Sequence, residues 1–327
     1  MTPQSSTPTF QVCLDEDWAS AALVNDVRRG FGRVPRSLPP KWLYDDRGSD
    51  LFDQITRLPE YYPTEAEREI LRNAASDIAA KSKADVLVEL GSGTSDKTRV
   101  LLDAFTANKQ LKKFVAVDVS AATLRDAADR LSAKYPGVAV HAIVGDFTLH
   151  LSSLPVGGRR MVAFLGGTIG NLFVEERSAF LGVLADVLDP GDSVLLGTDL
   201  VKSSDRLIAA YNDSQGITAD FVRNVLAVLN RELGADFDIE AFDYVPFWDA
   251  SLKRMDLRLR AVGDQLVRIP RADIELELHD GEEIRVEISS KFTPDGIADE
   301  LETAGFRVDG FWTDSGSDFG VTLATRL

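Results

Sequence analysis

The chain has 327 residues, 44% of them hydrophobic and 27% charged, enough for a sizeable core and about two domains. A net charge of −16 and a pI of about 4.7 argue against nucleic acid and anionic membrane as partners, because both select Lys/Arg patches. The single cysteine, Cys13, excludes an internal disulfide and argues against a structural zinc site, so no metal and a reducing cytoplasm are expected.

The N-terminus, MTPQSSTPTF, is polar and has neither a basic n-region nor an apolar h-region. It reads as a disordered tail over residues 1–14 rather than a signal peptide. No apolar run approaches the ~20 residues of a membrane span. Asp15–Gly32 has helical spacing, with Trp18, Ala22, Leu23, Val27 and Phe31 on one side. Pro35–Pro40 is too proline-rich for a helix and reads as a connector. Lys41–Pro63 holds three of the six tyrosines, too dense an aromatic stretch to be core alone. Thr64 and Glu67 form the pattern of a capping box for a helix reaching about Lys81.

Val86–Leu102, VLVELGSGTSDKTRVLL, then reads as a buried strand, a glycine turn and a helix start, with Thr94, Ser95 and Asp96 as possible N-caps. Such a unit presents bare backbone N–H groups and a helix N-terminus to a ligand. Four further strands are expected at Phe114–Asp118, Val138–Val144, Met161–Leu165 and Ser193–Gly197, alternating with helices at Ser120–Tyr135 and Glu175–Leu188. That alternation implies a parallel sheet with right-handed crossovers. Beyond Val201 the pattern changes. Ser204–Tyr211 and Thr218–Leu233 read as helices, and Phe242–Phe247 is a short aromatic stretch. Met255–Val262, Leu266–Ile269, Ile274–Leu278 and Glu283–Ser290 have period 2 and read as one antiparallel meander. Pro294–Ala304, Phe306–Phe311 and Phe319–Ala324 return to helix and strands. The middle block is an insertion: residues 15–63 with 202–290 form one domain, and 64–201 with 291–327 the other.

The glycine loop lacks the Gly-x4-Gly-Lys-Ser/Thr of a P-loop. It also lacks the third glycine of a dinucleotide fold, since Asp96 stands there. Glu89-Leu-Gly-Ser-Gly93 fits the acid-x-Gly-x-Gly loop of S-adenosylmethionine (SAM) methyltransferases. Asp118 ends the next strand 25 residues after Gly93, where an acid reaches a ribose diol. Asp146 and Phe147 end the third, placed to accept from an adenine amine and to pack on the base. Acids and glycines in this order point to adenosine without pyrophosphate, hence to SAM. A strand-end Asp that merely caps the following helix is the plainer alternative for each acid.

LPPKWLYDDRGSDLFDQITRLPEYYPT, LVELGSGTSDKTR, FLGGTIGNL, LLGTDLVK and GEEIRVEISSKF together resemble the ergothioneine-pathway histidine Nα-methyltransferases over nearly the whole chain. The resemblance implies a Rossmann-like class I SAM methyltransferase sheet (α/β) with an inserted α+β substrate-binding domain. It implies trimethylation of the α-amino group of L-histidine to hercynine. It places the SAM site at Tyr44, Gly91, Lys97, Asp118, Asp146 and Phe147. The histidine site falls at Tyr61, Asn171, Tyr211, Glu287, Ile288 and Ser289, with Phe52, Gly166 and Thr218 at secondary pocket positions. Leu257 aligns with a methionine beside the imidazole, with Met255 two residues away on the same strand face. Tyr44, Tyr61 and Asn171 are the expected catalytic residues: Tyr44 and Tyr61 on the amine, Asn171 and Tyr211 on amine and carboxylate. Lys97 is the expected partner of the SAM carboxylate. The protein is expected to be a monomer. The nearest alternative is a methyltransferase for another amino acid or small amine; a non-catalytic SAM-binding protein is a more distant one.

Overall fold

The computed structural model describes residues 7–15, 17–93 and 97–327. The three possible N-caps at 94–96 therefore lie outside the described residues. The chain divides into two compact units, one of residues up to 15, 63–200 and 292–327, the other of 16–62 and 201–291.

The first unit is an eight-stranded sheet. Its order is Thr9–Val12, Ala139–Val144, Lys113–Asp118, Val86–Leu90, Arg160–Phe164, Ser193–Asp199, Phe319–Arg326 and Phe306–Thr313. The neighbours from Thr9–Val12 to Ser193–Asp199 pair in parallel. Phe319–Arg326 runs antiparallel to both its neighbours, so the sheet is mixed rather than wholly parallel. This is a doubly wound α/β sheet of the kind the resemblance implies, with one reversed strand near an edge. Every residue of Val86–Leu90 is buried, because both faces are covered. Leu87, Phe114 and Met161 pack on one face with the helix Pro63–Ser82, while Val88, Val115 and Val162 pack on the other with Val174–Val187. Strand C-termini thus gather the loops that follow Leu90, Asp118 and Val144 along one edge.

Two expectations fail here. The tail is ordered from Thr9, whose strand adds to the open edge of Ala139–Val144, and the Cys13 N–H donates to Val144 O at 2.9 Å. The capping box fails as well: the helix starts at Pro63, and the Glu67 carboxylate reaches elsewhere.

The second unit packs the helices Trp18–Phe31, Asp46–Ile55, Ser204–Tyr211 and Ile217–Leu233 around a four-stranded sheet and a separate hairpin. The expected single meander is split. Gln265–Ile269 pairs with Ile274–Leu278 alone, whereas Glu283–Ser290 pairs with Arg254–Ala261, which pairs with Phe242–Asp249. The aromatic stretch is therefore a strand. Arg36–Ser37, inside the proline-rich connector, adds to Glu283–Ser290 in parallel.

Candidate active site

In the first unit the glycine loop is shaped by its backbone. Gly91 has φ +66°, a conformation that costs an L side chain but not glycine. A Cβ there would also lie 3.8 Å from the Phe147 ring, which stands edge-on to Phe164 at 5.0 Å. Asp118 Oδ2 accepts the Gly93 N–H at 2.9 Å and Oδ1 accepts the Ser120 N–H at 3.0 Å, so this acid braces the loop and the turn after its own strand. The helix after it is capped by Ser120, not by Asp118. Each carboxylate oxygen has two lone pairs and can still accept a hydroxyl. Asp146 is buried, and its Oδ1 accepts the Thr148 N–H at 2.9 Å and hydroxyl at 2.6 Å. Glu89 accepts from the Thr98 hydroxyl, tying the strand to the first turn of Thr98–Ala107. The Ser92 hydroxyl is buried and has no hydrogen-bond partner among the described residues. A buried hydroxyl beside turned-in backbone fits a loop shaped to receive a polar ligand.

Lys97, read from sequence as an early helix lysine, is paired. Its Nζ donates to Glu67 Oε2 at 2.5 Å, while Glu67 Oε1 accepts the Gly166 N–H at 2.7 Å. Glu67 is fully buried, and a Cβ at Gly197 would collide with its Oε1. One carboxylate therefore fixes a lysine 30 residues away and a glycine 99 residues away. Glu67 was missed because its i+3 spacing from Thr64 satisfies a capping-box pattern. The more telling signal was the Gly-Gly pair at 166–167, both with left-handed φ. Asn171 ends the short 3-10 turn Thr168–Asn171 of the same unit and is half-buried.

The second unit assembles side chains rather than backbone. Asp45 caps the helix Asp46–Ile55 by accepting the Gly48 N–H at 2.8 Å. It also accepts from Asn224 at 2.7 Å and Arg231 at 2.9 Å, locking that helix to Ile217–Leu233. Burial works to raise the Asp45 carboxyl, but these partners outweigh it and hold it below its ordinary value. Tyr44 and Phe52, at either side of that cap, pack edge-on at 5.4 Å. Phe52 meets Tyr61 at 6.2 Å, and Tyr61 meets Tyr211 at 6.2 Å. Phe221, not foreseen, closes the group at 5.2 Å from Tyr44 and 5.8 Å from Phe52. Its helical spacing reads as core, which is also true: it is buried.

Tyr211 ends its helix because Asp213 accepts the N–H groups of Gln215, Ile217 and Thr218, forming the turn into the next helix. Thr218 is buried at that turn and contributes its backbone to it. The Tyr211 hydroxyl donates to Ser289 Oγ at 2.8 Å, and the Tyr244 hydroxyl donates to the Tyr211 carbonyl at 2.7 Å. A hydroxyl has one hydrogen, and in this arrangement Tyr211 gives it to Ser289. Glu287 and Ser289 are both buried on one face of Glu283–Ser290, directly across from Leu257 and Met255. The register shifts between Arg285 and Glu287, a bulge that re-aims the strand where the two polar residues begin. Ile288, between them, turns its side chain to the opposite face, opposite Asp256.

Tyr44 is 40% exposed as a residue, yet its phenol is pushed well above its ordinary value of about 10. Burial is the larger cause and the Glu287 charge the next. A side chain can meet water at its surface and still be surrounded at longer range by protein, which is what desolvates the charge. Tyr244 is raised for the same two reasons in the same order. Tyr44 thus lies near residues assigned to histidine, whereas Asn171 belongs to the first unit.

The chain matches the family described as "Histidine-specific methyltransferase, SAM-dependent" over residues 23–326. It belongs to that family. It is 53% identical over 313 residues to the histidine N-alpha-methyltransferase of Mycolicibacterium smegmatis, covering 96% of this chain and 98% of that protein. It is 52% identical to the histidine N-alpha-methyltransferase of Mycobacterium tuberculosis with the same coverage. A more distant relative, the L-tryptophan methyltransferase of Psilocybe serbica, is 29% identical over 87% of each chain. The amino acid in the printed names thus differs among these relatives, although each aligns over 87% or more of this chain.

Proposed function

We propose that this chain methylates the α-amino nitrogen of L-histidine three times at the expense of SAM, giving hercynine, the first step of ergothioneine biosynthesis. The observation that carries the histidine reading is the buried Glu287 beside Ser289, facing Leu257 within an aromatic group. A carboxylate has several lone pairs and no hydrogen, so Glu287 can accept an imidazole N–H alongside its partners in the protein. An indole also has an N–H, but it offers no nitrogen to accept from Ser289.

SAM supplies a methyl group already activated by its sulfonium. The protein therefore has to bind, orient and exclude rather than activate. Asp118 suits a ribose diol, Asp146 an adenine amine and Phe147 the face of the base. Lys97, steered by Glu67, keeps further N–H donors for the methionine carboxylate. Tyr44 and Tyr61 orient the amine. Asn171 takes the amino acid carboxylate, since the Tyr211 hydrogen is directed to Ser289. The nitrogen must carry a lone pair for the C–N bond to form as the S–C bond breaks. Burial and the Glu287 charge hold the Tyr44 phenol above its ordinary value, which suits it to orient the amine while water takes the proton. As methyls accumulate, the faces of Tyr44, Phe52 and Tyr61 suit a quaternary ammonium.

The chain is taken to act as a monomer in the cytoplasm. A single cysteine supports the compartment, and no described helix is long and apolar enough to cross a membrane. The deciding experiment is mass spectrometry of L-histidine incubated with the protein and SAM. One, two and finally three added methyl groups are expected. Methylation of tryptophan or a simple amine in place of histidine would overturn the reading.

A further inference from the structure

Lys291 has no part in the assignments above, yet it is 3% exposed and lies immediately after Glu283–Ser290. Its Nζ donates to Ser289 Oγ at 2.7 Å and to the Tyr211 hydroxyl oxygen at 2.8 Å. It also lies 4.7 Å from the centre of the Tyr211 ring. An ammonium has three hydrogens and no lone pair, so the direction of both bonds is fixed. The Tyr211 hydrogen goes to Ser289 Oγ. Ser289 Oγ then receives two hydrogen bonds, one for each lone pair, and its own hydrogen is what it has left to give.

We propose that Lys291 is a positioning residue that makes Ser289 an obligate donor toward the unprotonated nitrogen of a neutral imidazole. The inference rests on the L-histidine reading. Glu287, two residues back on the same face, can only accept as a carboxylate, and Ser289 so held can only donate. A neutral imidazole has one N–H and one bare nitrogen, so the pair selects one tautomer and one ring orientation. Imidazolium, indole and phenol side chains each lack an aromatic nitrogen that accepts, and each leaves the Ser289 hydrogen unmet. Losing a hydrogen-bond partner in a buried site discriminates more strongly than a change of apolar volume does.

The test is Lys291→Met, assayed with L-histidine and with L-3-(2-thienyl)alanine, whose five-membered ring has no nitrogen; the latter is measured as an inhibitor where it is not turned over. The expected result is a histidine KM raised by about tenfold, the size of one hydrogen bond to a charged or oriented group. kcat and the SAM dissociation constant should stay within about twofold, and thienylalanine affinity should be unchanged. In a Ser289→Ala background the same substitution should add nothing, because its effect passes through that hydroxyl. Equal losses for both amino acids, or an undiminished loss without Ser289, would overturn the proposal. If K291M does not fold, K291Q replaces it: glutamine can accept, the Ser289 hydrogen can turn back to it, and histidine KM should still rise. An unchanged histidine KM in the folded variant overturns the proposal. Wild-type protein that ignores histidine would instead overturn the substrate reading on which it rests.

Discussion

Under the proposed function, the two units solve recognition by different means. The first presents backbone: a left-handed glycine, N–H groups braced by Asp118, and short acids at strand ends. The second presents side chains: five rings, a carboxylate and a hydroxyl pair drawn from positions 44 to 289. Backbone geometry survives most substitutions, so it suits a ligand that every methyltransferase of this fold shares. Side-chain pockets are retuned one residue at a time, so they suit the ligand that differs among relatives, as between those named for histidine and for tryptophan.

Glu287→Ala is the strongest way to break this comparison. Histidine KM should rise roughly 100-fold, the upper range for removing a charged partner from a buried hydrogen bond. SAM affinity, measured by calorimetry, should move less than about twofold; an equal loss of both would mean that the units do not divide the work. Asp118→Ala is the converse. SAM affinity should fall roughly tenfold or more, because a ligand contact and the Gly93 brace go together. Histidine binding to the SAM-free protein should be nearly unchanged.

Acid should separate the units by stability. Among the described residues of the second unit, burial works to raise Asp256 and Asp213, but Arg258 with Arg285, and the backbone and side chain of Thr218, outweigh it and hold both carboxyls low. Glu283 is lowered likewise by Arg258 and Arg260 against its burial. In the first unit Asp85 is lowered by Lys112. A lowered carboxyl contributes stability that is present above its unfolded value near 4 and lost as pH falls through the folded one. The second unit should therefore loosen first between about pH 4 and 2, where these carboxyls are forced to protonate. Trp18, Trp42 and Trp248 report on that unit by fluorescence, and amide exchange of Val86–Leu90 reports on the other. One coincident transition would contradict it. The smallest effect is expected of Leu257→Met: a change of less than about threefold in histidine KM, since the two side chains are close in volume. A larger change would show that this wall, opposite Glu287, sets selectivity.

The residues legible in advance were those whose meaning is local. Gly91, Asp118 and Asp146 sit at the ends of apolar runs that can only be strands, and the spacing between successive strand ends is set by one crossover helix. Glu287 and Ser289 were legible as a same-face pair because strand side chains alternate. Glu67 and Lys291 were not. A glutamate at i+3 from a threonine looks like a cap, and a lysine after a strand looks solvated, until the chain brings Lys97, Gly166 and Tyr211 to them. The edge strand Thr9–Val12 was hidden for a related reason: four exposed residues carry no burial pattern, and the open edge of Ala139–Val144 is what orders them.

Sequence by itself determined the parallel core and the change of pattern after its fifth strand, and it named most of the polar groups proposed to meet a ligand. Periodicity and strand-end chemistry are properties of contiguous residues, so no folding is needed to see them. Only the tertiary structure decided which strands pair in the second unit, since period-2 segments look alike whatever their neighbour. It alone decided, too, which way the hydrogens point around Ser289. That depends on a buried cation which donates and cannot accept, held beside two hydroxyls from different elements.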